Sequence, residues 1–356
     1  MTRALDRANI QVGDAPLSNR NHLINGAFAV AQRGTSFTSS SSANNDDTYV
    51  LDRWYILSDG NDIIDVSQET STIPTNGKYA IALDVETANK KFGIAQIIEG
   101  KNCVGLIGDT ITFSFKAKVS DTSKLDNVKA AIVSWSGTED SVTSDIISAW
   151  GNEGTNPTLI TNATYENTPA NLSLTTSYAT YSVSANIDTS GANNIIVFIW
   201  SDVTDTTAGH FLYVTDCQLE RGNAVTPFEH RSYGEEFNKC TRYFQHFGPS
   251  ADGGTNFWGA GQWSSSTIAH IILNTLGPMR KDPTATKSTV SYFRMGNSNM
   301  SGLAALSDMS FLLSGTSVSC KMRLYCTSSG GSAGNGTVLL SYNGSDLGTI
   351  SLDSEL

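Results

Sequence analysis

Hydrophobic and polar residues alternate along much of this chain with a period of two, the repeat of a half-buried β-strand. The clearest case is 111–119. Ile111, Phe113, Phe115, Ala117 and Val119 face one way there, and Thr112, Ser114, Lys116 and Lys118 the other. Tyr79–Val85 sets Tyr79, Ile81, Leu83 and Val85 against Ala80, Ala82 and Asp84. Val128–Trp135, Tyr178–Ala185 and Phe211–Leu219 read as further strands. Ile195–Trp200 is apolar without interruption, which predicts a strand buried on both faces. Asn76-Gly77 is a tight-turn signal. About eight to ten strands over some 210 residues predict a jelly-roll β-sandwich.

A different pattern begins near residue 233. GEEFNKCTRYF opens with acidic residues after a glycine, and Phe237, Cys240 and Phe244 share one helical face, so a short helix is expected. Beyond it Val318–Cys326 alternates again, and Asn343-Gly344 predicts a hairpin between Val338–Tyr342 and Thr349–Leu352. The expected organisation is an N-terminal arm at 1–20, a sandwich at 21–233 and a smaller C-terminal β domain at 234–356. The strands of that last domain look too few to bury a large core alone, which favours closure by self-association.

Composition fits an all-β chain and excludes several function classes. Only 16% of the 356 residues are charged, and Pro is sparse at 8, so helical bundles and coiled coils are disfavoured. The net charge of −11 argues against a nucleic-acid partner, which needs a basic face. No run of about 18 apolar residues occurs, so membrane insertion is not expected. The N-terminus, MTRALDRANIQVGDAPLSNR, has scattered charges and no apolar stretch, so no secretory leader is expected. The five cysteines match no zinc spacing and read as small buried hydrophobes. Cys320 and Cys326, six strand residues or about 20 Å apart, cannot bridge each other.

Three segments together resemble tail-fibre and related virion proteins of bacteriophages and prophages. They are LINGAFAVAQRGTSF with LDRWYI, then CQLERGNAVTPFEHRSYGEEFNKCTRYF, then LGPMRKDPTATKS with the closing SLDSEL. The first two bracket a region similar to a carbohydrate-binding-module jelly roll. The resemblance implies a non-enzymatic virion appendage, made in the host cytoplasm and usually trimeric, that contacts the host surface. Residues 1–20 would dock it to another virion protein, with the C-terminal domain trimerising and distal. A short spike or fibre tip fits better than a shaft, since no fibrous repeat is present. A decoration or adaptor protein without a ligand, and a glycan depolymerase, are the alternatives.

Candidate chemistry follows from the residues themselves. Sugar-binding sandwiches stack aromatic rings on pyranose faces. Trp150, beside a polar stretch, and Trp258 and Trp263, within GGTNFWGAGQWSSS, are the candidate glycan contacts; core or interface packing is the competing reading. Asp52-Arg53-Trp54 reads as a buried ion pair beside an aromatic anchor, and Phe228 as a plug closing the sandwich after a strand stopped by Pro227. No nucleophile, zinc-protease or phosphate-loop motif occurs, the five histidines are scattered, and no cofactor is expected. Asn44-Asn45-Asp46-Asp47 and Asp202 with Asp205 offer oxygen ligands that calcium could use, although the spacing matches no known loop.

Overall fold

The computed structural model describes residues 19–41, 43–189, 191–248, 257–297, 303–312, 321–341 and 348–356. Residues 1–18, and with them most of the expected arm, lie outside the described residues, as do Cys320 and the Asn343-Gly344 turn. The chain divides into two compact units, 1–236 with Leu356, and 237–355. Among the described residues no helix is long and apolar enough to cross a membrane.

Among the described residues the first unit contains thirteen strands: β1 Ser36–Phe37, β2 Tyr55–Ser58, β3 Ile64–Glu69, β4 Ala80–Val85, β5 Phe92–Ile98, β6 Thr110–Val119, β7 Val128–Trp135, β8 Ile147–Ala149, β9 Thr158–Leu159, β10 Ala163–Tyr165, β11 Ala179–Asn186, β12 Asn194–Ser201 and β13 Phe211–Arg221. They build an antiparallel sandwich. One sheet runs β1-β3-β4-β13-β6-β11, the other β10-β7-β12-β5-β2, and β8 pairs with β9. In each main sheet a late strand inserts between earlier ones, β13 between β4 and β6, and β12 between β5 and β7. That is the crossing pattern of a jelly roll.

The period-two reading accounts for the core. Ile111, Phe113, Phe115, Ala117 and Val119 of β6 all point between the sheets. They meet Ile81, Leu83 and Val85 of β4 and Ile195, Val197 and Ile199 of β12. The alternate residues of β12, Ile196, Phe198 and Trp200, point the other way into a second apolar cluster with Val142, Ile146 and Trp150. The strand is therefore buried on both faces, as its apolar run predicts. Gly93 of β5 lies so close to β12 that an added Cβ would stand 2.1 Å from the Ile199 carbonyl oxygen.

The family-like N-terminal segment packs against its own second half. Trp54, fully buried, stands 5.1 Å from the Phe28 ring and donates its indole N–H to the Asn25 carbonyl at 3.1 Å. Asp52 accepts from the Gln32 backbone and side-chain amides, and the Arg53 guanidinium donates to the Ile97 carbonyl. The expected pairing of Asp52 with Arg53 is thus replaced by separate partners, because Arg53 has a left-handed backbone (φ 72°) that sends its side chain toward β5.

Asp202 is buried between two lysines, with Lys91 at 2.5 Å and Lys129 at 2.7 Å. Lys91 also donates to the carbonyls of Asn152 and Thr155. This ion cluster ties the 150–155 loop to the sandwich. It also corrects the reading of Asp202 as a calcium ligand, since two ammonium groups already hold its carboxylate.

The second unit contains β14 Phe244–Phe247, β15 Phe257–Trp263, β16 Ile268–Asn274, β17 Thr284–Lys287, β18 Phe293–Asn297, β19 Ala304–Leu312, β20 Lys321–Ser328, β21 Gly336–Ser341 and β22 Ile350–Asp353. Six of them close into a barrel, β15-β16-β20-β19-β18-β21, while β22 pairs with β14 and β17. Ring closure leaves no unpaired edge in the barrel, and Ile271, Phe293, Leu324 and Leu339 fill its core. The expectation that these strands need self-association to close is corrected by that ring. The predicted hairpin is corrected as well: β21 pairs with β15 and β18, and β22 belongs to a different sheet. The helix Tyr233–Thr241 stands where the sequence places it and buries Cys240, but Phe244 lies beyond its end, in β14. The four described cysteines, Cys103, Cys217, Cys240 and Cys326, are buried thiols.

Two stability predictions follow. Replacing Asp202 by Ala leaves two buried ammonium groups without their carboxylate, so urea unfolding should show a loss of about 3–5 kcal/mol. The second concerns pH. Burial, with repulsion from neighbouring carboxylates, pushes Asp46 up to about 6, Asp47 to about 7 and Asp84 to about 6, from the ordinary 3.8. Between about pH 7 and pH 5 the folded state then binds protons that the unfolded chain does not, so stability rises as pH falls through that window. The lowered carboxyls of Glu69 and Glu229 oppose this only once pH falls below their ordinary 4.5. Thermal unfolding of the sandwich should shift upward between about pH 7.5 and 5.5, and Asp47→Asn should flatten that slope.

Candidate functional site

The outer face of the six-stranded sheet carries the chemistry. On β6 the residues that point away from the core are Thr112, Ser114, Lys116 and Lys118. Across the ladder Lys118 faces Tyr213, and Lys116 lies between Thr215 of β13 and Thr180 of β11. The β13 register slips between Thr215 and Gln218, which inserts one residue. Thr215 and Asp216 therefore both lie on the outer side, and Cys217 returns to the core. Asp216 takes φ 52°, a left-handed conformation that Asp tolerates better than most residues, and its carboxylate meets the Lys116 ammonium at 2.8 Å.

The N-terminal segment holds this bulge in place. The Cys217 N–H donates to the Gly26 carbonyl, and the Cys217 carbonyl accepts from the Asn21 side-chain amide, both at 2.9 Å. A Cβ on Gly26 would stand 2.1 Å from the Cys217 oxygen, so the contact requires glycine.

Beside the bulge the Lys118 ammonium sits 5.5 Å from the Tyr213 ring and 5.9 Å from the Tyr178 ring, within cation–π range. Tyr213 stacks on Phe211 at 5.5 Å, and the Tyr178 hydroxyl donates to the Thr72 carbonyl at 2.8 Å. Desolvation raises both tyrosine pKa values above the ordinary phenol range, so both rings stay neutral.

A wall of extended chain rises along the other side. Gln218 and Glu220 of β13 hold it: Thr226 donates its backbone N–H and its hydroxyl to Glu220, and the Glu229 N–H donates to Gln218. Phe228 projects from this wall, with its ring edge-on to His230 at 4.9 Å. Three recesses run together here. One of about 510 Å³ lies over Lys118 and Tyr178. A second of about 630 Å³ shares Lys116 and Thr180 with it and reaches Asp216 and Phe228. A third of about 300 Å³ continues past Phe228 to Tyr79 and Tyr233. The result is a groove lined by hydroxyls, three lysines (Lys78, Lys116 and Lys118), the ion-paired Arg231, two carboxylates (Asp216 and Glu236) and several aromatic rings.

The tryptophans singled out in the sequence are not part of this groove. Trp150 is 9% exposed and packs edge-on to Phe198 at 6.1 Å, covering the outside of the five-stranded sheet. Trp263 is 5% exposed in the barrel core. Its glycine-rich surroundings arise from close strands, since a Cβ on Gly259 or Gly261 would strike the β16 backbone, and Gly331 lies against the Trp263 ring. Trp258 is half-buried, 5.8 Å from Phe293. Phe228 is corrected from a plug of the sandwich to a half-exposed ring on the groove wall, because the chain after Arg221 runs over the outer face. In the loop before β2, Asn44 donates to Asp62 and Asp65, and Asp46 accepts the Ser58 N–H. Among the described residues no cluster of three or more His, Cys, Asp or Glu side chains is placed to hold a metal ion.

Neither protein-family models nor curated protein sequences match this chain. Solved structures do. The enzymatically active domain of tailspike protein 4 from bacteriophage CBA120 aligns at 14% identity and TM-score 0.33 over 57% of this chain, which corresponds to only 21% of that one. The module TmCBM61 in complex with β-1,4-galactotriose aligns at 15% identity and TM-score 0.29, over 57% of this chain and all of the other. A xylan-binding domain from Paenibacillus barcinonensis aligns at 10% identity and TM-score 0.30, over 53% of this chain and 94% of the other. Likenesses this distant carry no functional weight, and the site rests on its own geometry.

Proposed function

We propose that this protein binds a saccharide in the groove on the six-stranded sheet and serves as a bacteriophage virion appendage, a spike or fibre tip, that contacts the host surface. The observation that carries the binding reading is the groove itself: half-exposed rings of Tyr178 and Phe228 alternate there with hydroxyls and charged side chains. Sugars present apolar ring faces and polar edges, and such a lining offers a partner to each. The virion reading is supported by the three tail-fibre-like segments. With it come three-fold self-association and attachment to another virion protein through residues 1–20. One ring stacked on a sugar contributes about 1–2 kcal/mol, so single sites are weak and many copies on a particle raise avidity. We infer binding without cleavage, because both groove carboxylates are ion-paired, Asp216 with Lys116 and Glu236 with Arg231.

Affinity electrophoresis through gels containing host surface polysaccharide tests this reading. The protein should be retarded, Tyr178→Ala and Phe228→Ala should each weaken retardation about tenfold without lowering the unfolding temperature greatly, and no reducing ends should be released. Unchanged retardation in both variants, or release of reducing ends, would overturn it.

A further inference from the structure

The groove also indicates which saccharides it takes, an inference that rests on the binding reading above. The chain is acidic, with 34 Asp and Glu against 23 Lys and Arg. Its groove nevertheless sets two lysines on neighbouring outward positions of β6. Lys116 is neutralised by Asp216 at 2.8 Å. Lys118 differs. Among the described residues its ammonium makes no ion pair, and its contacts are the ring faces of Tyr178 and Tyr213. Glu69, the acid whose field reaches both phenols, turns its carboxylate to the backbone N–H groups of Ser71 and Thr72 instead. Neither phenol supplies a counter-charge. Lys118 is half-buried, and its ammonium stands at the recess wall with two aromatic faces and, among the described residues, no paired carboxylate.

We infer that the groove selects saccharides carrying a carboxylate, the uronic and sialic acid class, with Lys118 as the counter-ion and Tyr178 and Tyr213 fixing its position. The donor set favours a carboxylate over a phosphate. Dedicated phosphate sites add arginine forks or nests of backbone N–H groups to any lysine point charge. Here the donors are ammonium point charges, Lys118 and, in the third recess, Lys78 over the Tyr79 ring, and the arginine at the far end of the groove, Arg231, is committed to the Leu23 carbonyl and to Glu229 and Glu236. A carboxylate placed against Lys118 gains one charge-assisted hydrogen bond, enough for about a tenfold preference over the same sugar with a neutral group.

The test uses the full-length protein and matched pairs of polysaccharides differing only at the carboxyl: polygalacturonate and its methyl ester, hyaluronan and its carboxyl-reduced form, and polysialic acid and its carboxyl-reduced form. Direct binding titrations should show at least one charged member held about tenfold more tightly than its neutral partner, with the preference shrinking as salt rises. Lys118→Gln should abolish the preference, Lys118→Arg should restore it, and Lys101→Gln, at a surface lysine paired with Glu99, should leave it unchanged. Equal binding of charged and neutral members, or a preference that survives Lys118→Gln in folded protein, overturns the carboxylate assignment while leaving saccharide binding intact. Failure to hold any member of any pair, charged or neutral, overturns both readings.

Discussion

The sandwich depends on one strand being dry on both sides. β12 sends Ile195, Val197 and Ile199 between the sheets and Ile196, Phe198 and Trp200 outward, and the outward set must be covered as fully as the inner one. The 136–165 connection covers it, with Val142, Ile146 and Trp150 packed on Phe198 and Trp200. The Lys91–Asp202–Lys129 cluster fastens the end of that cover. The outer face of the five-stranded sheet is thereby used up in making the fold. The opposite face, where β6 alternates strictly and turns the half-buried Lys116 and Lys118 toward the groove, is the one left open.

The family-like segments are frame, and each consists of mated pieces. Asn21 and Gly26 grip the bulge at Cys217, and Asn25 and Gln32 grip Trp54 and Asp52. Late in the chain Arg280 donates to the carbonyls of Ser354 and Glu355, joining LGPMRK to SLDSEL. Most of the groove chemistry, at Lys116, Lys118 and Tyr178, lies outside these segments; Asp216 adjoins the second and Phe228 lies within it.

Local periodicity made the frame legible. The alternation at 111–119 identified both the core face and the wet face of β6, and the run at 195–200 announced double burial. What failed was inference from neighbours in sequence. Glycines around Trp258 and Trp263 look like a loose loop, yet they are spaced for close strands, and only the position of β16 reveals that. Val338–Tyr342 and Thr349–Leu352 look like a hairpin because a turn signal separates them, but pairing is decided by partners far along the chain. The groove was half visible for the same reason. Lys118 and Tyr213 were each on a recognised strand, and no local signal gives the register that sets them opposite each other.

The bulge in β13 has a consequence for how this surface can change over time. Because Thr215 and Asp216 share the outer side, the strand keeps its inward set, Leu212, Val214, Cys217 and Leu219, whether or not the additional residue is there. The charge it brings is grammatically separate from the sheet, a letter that can be struck out without shifting the frame of the rest. Loss of Asp216 would leave Lys116 as bare as Lys118 and add one more uncompensated cation to the groove, in a single codon deletion. The uncompensated charge on this face can thus change in one step, while the strand beneath goes on pairing as before.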